Sequence, residues 1–440
     1  MPHTIVIADD VTGANDIGIM YAKAGLSAYV YSYREGERPA YPSCDALIID
    51  TDSRFDTAQR AYEKVQRALE GAPVKEARQF IDKQCSVFRG NIGAEFDAML
   101  DTLGAEFAVV VLGFPDNGRT TLHGIHYVNG VRLEDSQFRH DPVHPMTRSD
   151  LAGILQAQTK RKVGSVFYEV YDQGRDALRR ALREAEKSCN YCIMDVRDNR
   201  DLELLAEVLE NQQILCGSSA LSEYLAKREA DQSGIRQPEG RFPVPRKVFC
   251  IAGSLTPQTI GQTAYMAEQG YPVITLDTRR LLEKEERQAE LERVYQLVCK
   301  GYQSKDFVMV HSMNRAEEVA ATKALALSKG MDNTQVSGLV SSALSEVAVR
   351  VVEAYGIRRI IVCGGDTSAT LCSALHVNGM RVLEEIEAGL PTCESVDEPH
   401  YRMVLKSGSF GSRSFVEKAR EKLLLERKEE TCQSKNSSIC

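Results

Sequence analysis

The chain has 440 residues, 43% of them hydrophobic and 26% charged, with a formal net charge of −8. That length exceeds what one hydrophobic core usually fills, so two domains of an ordinary globular protein are expected, and the acidic balance argues against a nucleic-acid or anionic-membrane surface while leaving room for a local basic pocket. No apolar run approaches the ~20 residues of a membrane span, and "MPHTIVIADD" lacks the basic start and longer apolar stretch of a signal peptide, so a cytoplasmic protein is expected.

In chain order, strand-like runs alternate with helix-compatible stretches. The run "IVIA" (5–8) ends in Asp9 and Asp10, followed by Thr12 and Asp16. A buried parallel strand places these groups at its C-terminal edge, where open α/β sheets bind ligands. There they can orient hydroxyls, hold a hydrated magnesium ion or supply a general base; equally, Asp10 or Thr12 can cap the next helix. Strands are also predicted at "AYVYSY" (28–33) and "ALIID" (46–50). After the latter come Asp50, Asp52, Ser53 and Arg54, whose guanidinium suits either a substrate carboxylate or an ion pair that fastens the loop. A helix over 57–71 follows. Lys83 and Arg89 then make a compact cationic site suited to an acidic small molecule, and Asn91 is placed to cap a helix over 91–104.

The strand "FAVVVLGF" (107–114) leads into "GFPDNGRTTLHGIHYVNG", which concentrates Asp116, Asn117, Arg119, Thr120, Thr121 and His126. These groups suit the several oxygens of a polyol or sugar acid, with a ligand-free hairpin as the alternative. His123 and His126 have no third ligand nearby for a metal. A further loop, "HDPVHPMTRSD", sets Thr147 and Ser149 where they can pack over a site. The strand "YCIMDV" (191–196) follows. Of the 12 cysteines, the nearest pair, Cys189 and Cys192, has no second CxxC half, so reduced structural thiols are expected.

Composition changes near Ala230. "ADQSGIRQPEGRFPVPR" is rich in proline, glycine and charge, which predicts a first domain over 1–230, a junction over 231–246, a second domain over 247–430 and a flexible tail over 431–440. A second series of strands begins with "KVFCIAG", "YPVITLD", "FVMVHS" and "RRIIVCGGDTS", with helices expected over 256–270, 282–301, 340–356 and from 414 onward. Ser254 and Thr256 follow a strand and precede a helix, a junction whose backbone N–H groups bind phosphate. Gly364, Gly365, Asp366, Thr367 and Ser368 repeat that arrangement, with Asp366 placed to position magnesium. "LKSGSFG" adds Lys406, Gly408 and Gly411 as an exposed phosphate-contacting loop. None of these is a Walker A or a GxGxxG dinucleotide sequence. Together they predict an α/β protein of two domains, each with a mainly parallel or mixed central sheet, and an active-site cleft between them.

The ordered landmarks "ADDVTGA", "DTDSR", "FRGNIGAE", "FPDNGRTTLHGIHYVNG", "DPVHPMTRSD", "GGDTS" and "LKSGSFG" resemble the four-carbon acid sugar kinase family almost end to end. The resemblance implies an N-terminal acid-sugar-binding domain, a C-terminal nucleotide-binding domain, and phosphorylation of threonate, erythronate or 3-oxo-tetronate with ATP and Mg²⁺. It implies substrate contacts at Asp10, Arg54, Lys83, Arg89, Gly118 and Arg119, and ATP contacts at Ser254, Gly364, Gly365, Asp366 and Gly408; Asp9, beside Asp10, and Thr367, in the same turn as Asp366, are added to these two sets from their positions in the motifs. Asp10 is the leading candidate to orient or deprotonate the attacking hydroxyl. Asp366 is the competing one, with a metal role favoured. Self-association is left open.

One segment departs from the family pattern, which has aspartate where "DKQCSVFRGN" has Cys85 and threonine where it has Val87. A thiol is a weaker polar partner than a carboxylate. That departure sustains a second reading, a noncatalytic sugar-acid or nucleotide-responsive binding protein.

Overall fold

The computed structural model describes residues 2–37, 39–141, 144–233 and 246–425. Residues 234–245 of the expected junction and the expected tail 431–440 lie outside them. The first half contributes β1 (Thr4–Ala8), β2 (Ala28–Ser32), β3 (Ala46–Asp50), β4 (Gln79–Lys83), β5 (Ala108–Val111), β6 (Arg119–Leu122), β7 (Ile125–Val128), β8 (Val131–Arg132), β9 (Val163–Val166), β10 (Tyr191–Met194) and β11 (Ile214–Gly217). Of these, β6, β7 and β8 form a small antiparallel sheet, built from the "RTTLHGIHYVNG" segment. The others pair in parallel in the order β2-β3-β1-β4-β11-β5-β10-β9.

Strand β1 is buried along its whole length. Ile5 and Ile7 enter one core and Val6 and Ala8 the other, so the strand reads as a continuous apolar run rather than an alternating one. Helices cover both faces. The chain leaves β1 to one side for β2 and β3, then crosses to the other for β4. The crevice at the end of β1 is therefore a topological switch point, the place where doubly wound sheets take ligands.

The second half adds β12 (Val248–Ala252), β13 (Val273–Leu276), β14 (Phe307–Ser312), β15 (Arg359–Cys363), β16 (Gly379–Glu387), β17 (Leu390–Ser395) and β18 (Arg402–Lys406). Their order is β13-β14-β12-β15-β18-β17-β16, parallel as far as β18 and antiparallel beyond it. The same reversal of direction occurs around β12. Strand β16 then pairs antiparallel with β2, Met380 opposite Val30, so the described strands of both α/β halves join in one 15-stranded sheet. The helix Ala220–Ser233 continues past the boundary expected at residue 230. No helix among the described residues is long and apolar enough to cross a membrane.

Candidate active site

Asp9 and Asp10 leave β1 at the switch point, and both close on Arg54. The guanidinium donates through Nε to Asp9 Oδ2 and through Nη2 to Asp9 Oδ1, each at 2.7 Å, and through Nη1 to Asp10 Oδ2 at 2.5 Å. Asp9 is fully buried and Arg54 nearly so. Of the two readings of Arg54, the geometry displays the ion pair: three of its five donors already hold carboxylates. Asp10 also has its capping role, since Oδ1 accepts from Gly13 N at 2.7 Å at the start of the helix Val11–Lys23. Burial pushes the Asp10 carboxyl up, but Arg54, Lys83 and the Gly13 N–H outweigh it and hold the group below its ordinary value. Asp10 is thus a carboxylate at neutral pH, and a weakly basic one.

The remaining predicted residues of this half gather at different depths. Lys83, the last residue of β4, is buried behind the switch point, with Nζ donating to Gln84 O at 3.1 Å and lying 3.6 Å from Asp16 Oδ2. Arg89 donates through Nε to Cys85 Sγ at 3.4 Å and through Nη1 to Asp141. Arg119 opens β6, its Nη1 on Asn117 O and its buried Nε without a partner among the described residues. Gly118 closes the 3-10 turn Pro115–Asn117 just before β6, and Asn129 N donates to its carbonyl at 2.7 Å. Asn91 occupies the N-cap position of the helix Ile92–Leu103 but does not cap it. Its Nδ2 instead donates to Ser53 O and Asp56 O, each at 2.9 Å, fastening the loop that carries Arg54. His126 is buried between Thr121 Oγ1 and Ser86 O.

Behind Asp9 lies a second layer of carboxyls. Gln84 Nε2 bridges Asp82 Oδ1 at 2.6 Å and Glu95 Oε2 at 2.8 Å, and Ser53 Oγ donates to Glu95 Oε1 at 3.0 Å. Burial, helped by the neighbouring Asp9, raises the Asp82 carboxyl from its ordinary 3.8 to about 8. A group held above its ordinary value favours the fold while protonated, and that contribution is lost as pH rises from about 4 towards about 8. Asp82→Asn is therefore expected to lose less thermal stability than wild type between about pH 5 and about pH 8. Melting curves of both proteins at the two pH values check this, and parallel losses would remove Asp82 as the source.

In the second half, three turns converge. Gly364 N donates to Lys406 O at 2.8 Å, and Gly253 N and Ser254 N both donate to Cys363 O, at 3.1 and 3.2 Å. Gly364 has φ 137°, a conformation L side chains rarely adopt, and starts the helix Gly365–Ala374 without a side-chain cap. The helix Pro257–Glu268 is likewise uncapped, because the Thr256 hydroxyl is turned to Gly408 O at 2.6 Å. Two helix N-termini with first-turn N–H groups free of side-chain caps thus border one cavity of about 440 Å³, a ready phosphate cradle. A Cβ on Gly408 would lie 2.1 Å from Ser254 Oγ, so only glycine admits this approach. Lys406, expected in an exposed loop, is instead the buried end of β18. Its Nζ donates to Thr259 Oγ1, Gly408 O and Ser407 O at 3.0, 3.0 and 3.1 Å, locking the loop from behind. Asp366 lies in the first turn of the helix Gly365–Ala374 and accepts from Ser337 Oγ at 3.1 Å. Thr367 is buried beneath it, 3.4 Å from Ser341 Oγ.

A second cavity, of about 430 Å³, lies between the halves. Asp10, Arg54 and Arg89 wall one side and Gly365, Asp366 and Ser368 the other. Gly365, Asp366 and Ser407 border both cavities, so the two volumes share the first turn of the helix Gly365–Ala374. Arg34, which the sequence reading passed over, also lines the cavity between the halves. The signal was present: Arg34 follows the run "AYVYSY" as Asp9 follows "IVIA", and so shares the same sheet edge.

The sugar-binding N-terminal domain family matches residues 4–225 and the nucleotide-binding C-terminal domain family residues 249–416. The 3-oxo-tetronate kinase of Salmonella typhimurium is 31% identical over 421 residues, 94% of this chain and 97% of the relative. The enzyme of that name from Haemophilus influenzae is 31% identical over 420 residues, 94% of this chain and 98% of its own. A crystal structure of a Salmonella typhimurium protein superposes with a TM-score of 0.83 at 30% identity, over 95% of this chain and 99% of that one. The landmarks, the switch-point geometry and these matches agree, and the chain belongs to the four-carbon acid sugar kinase family.

Proposed function

We propose that the protein transfers the γ-phosphoryl group of ATP to a terminal hydroxyl of a small sugar acid, most simply one of four carbons. The observation that carries this reading is the shared wall. The acid-lined cavity between the halves and the phosphate cradle of the second meet at Gly365 and Asp366, where a hydroxyl and a phosphate can be brought into line. The uncapped N–H groups at 365–367 and near Thr256 hold phosphate oxygens. Mg²⁺ is usually bound by one or two carboxylates together with phosphate oxygens, and Asp366 at the cradle's mouth fits that donor set. When bound, the ion neutralises charge on the phosphates. Asp10 accepts the hydrogen bond of the attacking hydroxyl and aims its oxygen. Its depressed basicity suits this role, because a loose phosphoryl-transfer transition state asks little of a base. Arg89 in the cavity wall, with Lys83 buried near Asp10, supplies positive potential for the acid.

Incubation with ATP, Mg²⁺ and a panel of threonate and erythronate stereoisomers and 3-oxo acids tests the reading by product mass. The expected product gains one phosphoryl group as ADP forms. Acid binding without any ATP-dependent product would favour the noncatalytic alternative that Cys85 sustains.

A further inference from the structure

An acid entering the cavity between the halves needs a cation with donors to spare, and most of the predicted ones are committed. Arg54 is clasped by Asp9 and Asp10, Arg89 is paired with Asp141, and Lys83 and Arg119 are not in the cavity wall. Arg34 is in that wall. Its Nη1 donates to Asn378 Oδ1 at 2.6 Å, and the carboxylate recorded nearest to it is Glu37 Oε2 at 3.8 Å, on a largely exposed side chain. An exposed contact of that length is worth little. Among the described residues, Nε and Nη2 of Arg34 have no partner, which leaves a planar fork open to a carboxylate.

Its position fits that task. Arg34 leaves the C-terminal edge of β2, while Asn378 immediately precedes β16, the strand that pairs with β2. Asn378 is itself anchored, its N–H donating to Asp397 Oδ2 at 2.8 Å. The cavity wall runs along the helix Gly365–Ala374 from Asp366 to Cys372 and Ser373 and ends at Asn378. Asp366 and Cys372 are separated by roughly 9 Å of helical rise. A short acid whose hydroxyl end lies by Asp10 and Asp366 therefore directs its other end toward Arg34. The wall also carries Asp10, Asp52 and Asp366, which disfavour a carboxylate beside them, while its other two guanidiniums, Arg54 and Arg89, already hold carboxylates.

We infer that Arg34, braced by Asn378 at the seam of the two halves, is the carboxylate-binding residue that selects sugar acids over uncharged polyols. The inference rests on the kinase reading for the identity of the ligand, but it is tested by binding as well as by turnover. Arg34→Gln is compared with wild type for calorimetric binding, and for kcat/KM, of a sugar acid and of the uncharged polyol of equal length. Affinity for the acid is expected to fall about 10- to 100-fold, as for a lost charged hydrogen-bond pair, with affinity for the polyol and for ATP unchanged. Arg34→Lys is expected to recover part of the acid preference. An unaltered acid-to-polyol preference in Arg34→Gln, or equal losses for both ligands, would overturn the assignment. Absence of product in wild type would instead sink the kinase reading, while the binding comparison would still decide Arg34.

Discussion

Asp10→Asn is expected to lower kcat for sugar-acid phosphorylation by about 10²- to 10³-fold, the usual scale for removing a positioned acid–base or charge-stabilising group. The amide keeps the size of the side chain and an oxygen that can still accept from Gly13 N, so the helix start survives. What it loses is the charge that makes the hydroxyl's hydrogen bond strong and directional. Asp9 continues to hold Arg54 through two bonds, so the loop carrying the guanidinium stays in place. The KM for ATP is therefore expected to change little, because the phosphate cradle lies in the other half. Steady-state kinetics with each substrate varied in turn check both statements. Undiminished turnover would end Asp10's assigned role and move attention to Asp366.

Arg54→Ala is expected to act on stability first. It leaves Asp9, with no exposed surface, and Asp10 beside it as facing carboxylates without their counter-charge. Breaking a buried pair by removing one partner typically costs about 3–5 kcal/mol, a large share of a domain's net stability. The sign of the pH dependence follows. Without Arg54 the two carboxyls bind protons more readily in the folded state, so the variant's deficit relative to wild type should shrink as pH falls. Arg54→Lys should recover only part of the loss, since one ammonium cannot reproduce the three-bond clasp. Urea unfolding of the three proteins at neutral and mildly acidic pH measures this. A deficit under about 0.5 kcal/mol, the range of an ordinary surface substitution, would show that the clasp is not needed for stability.

Much of this site could be read from strand ends. Apolar runs such as "IVIA" and "RIIVC" are strongly patterned because both faces of a parallel strand are covered, and the polar residues that follow them necessarily crowd one sheet edge. Strand β4, "QFIDK", escaped because it buries Asp82 and Lys83, which break the apolar pattern: Asp82 is held by Gln84, and Lys83 lies against Asp16, distant in sequence. Strands β16 and β17 escaped for another reason. They carry several charges and run antiparallel at the join, where one side of a strand need not be apolar. Arg54 illustrates a different limit. Its residue type suits both an ion pair and a carboxylate ligand, and only the positions of Asp9 and Asp10 in space show where its donors go.

The pairing of β2 with β16 also bears on what each half is when alone. Within the described strands, β2 is one edge strand of the first half and β16 one edge strand of the second, and each covers the other's backbone amides and carbonyls. Severed, either half would present a raw rim of unsatisfied N–H and C=O groups, a template for pairing with any extended chain. The two halves thus act as each other's edge protection, and neither is a module that can be lifted out unchanged. The same strands carry Arg34 and Asn378 at their ends, so the seam that keeps the sheet from sticking to other chains also frames the mouth of the cavity.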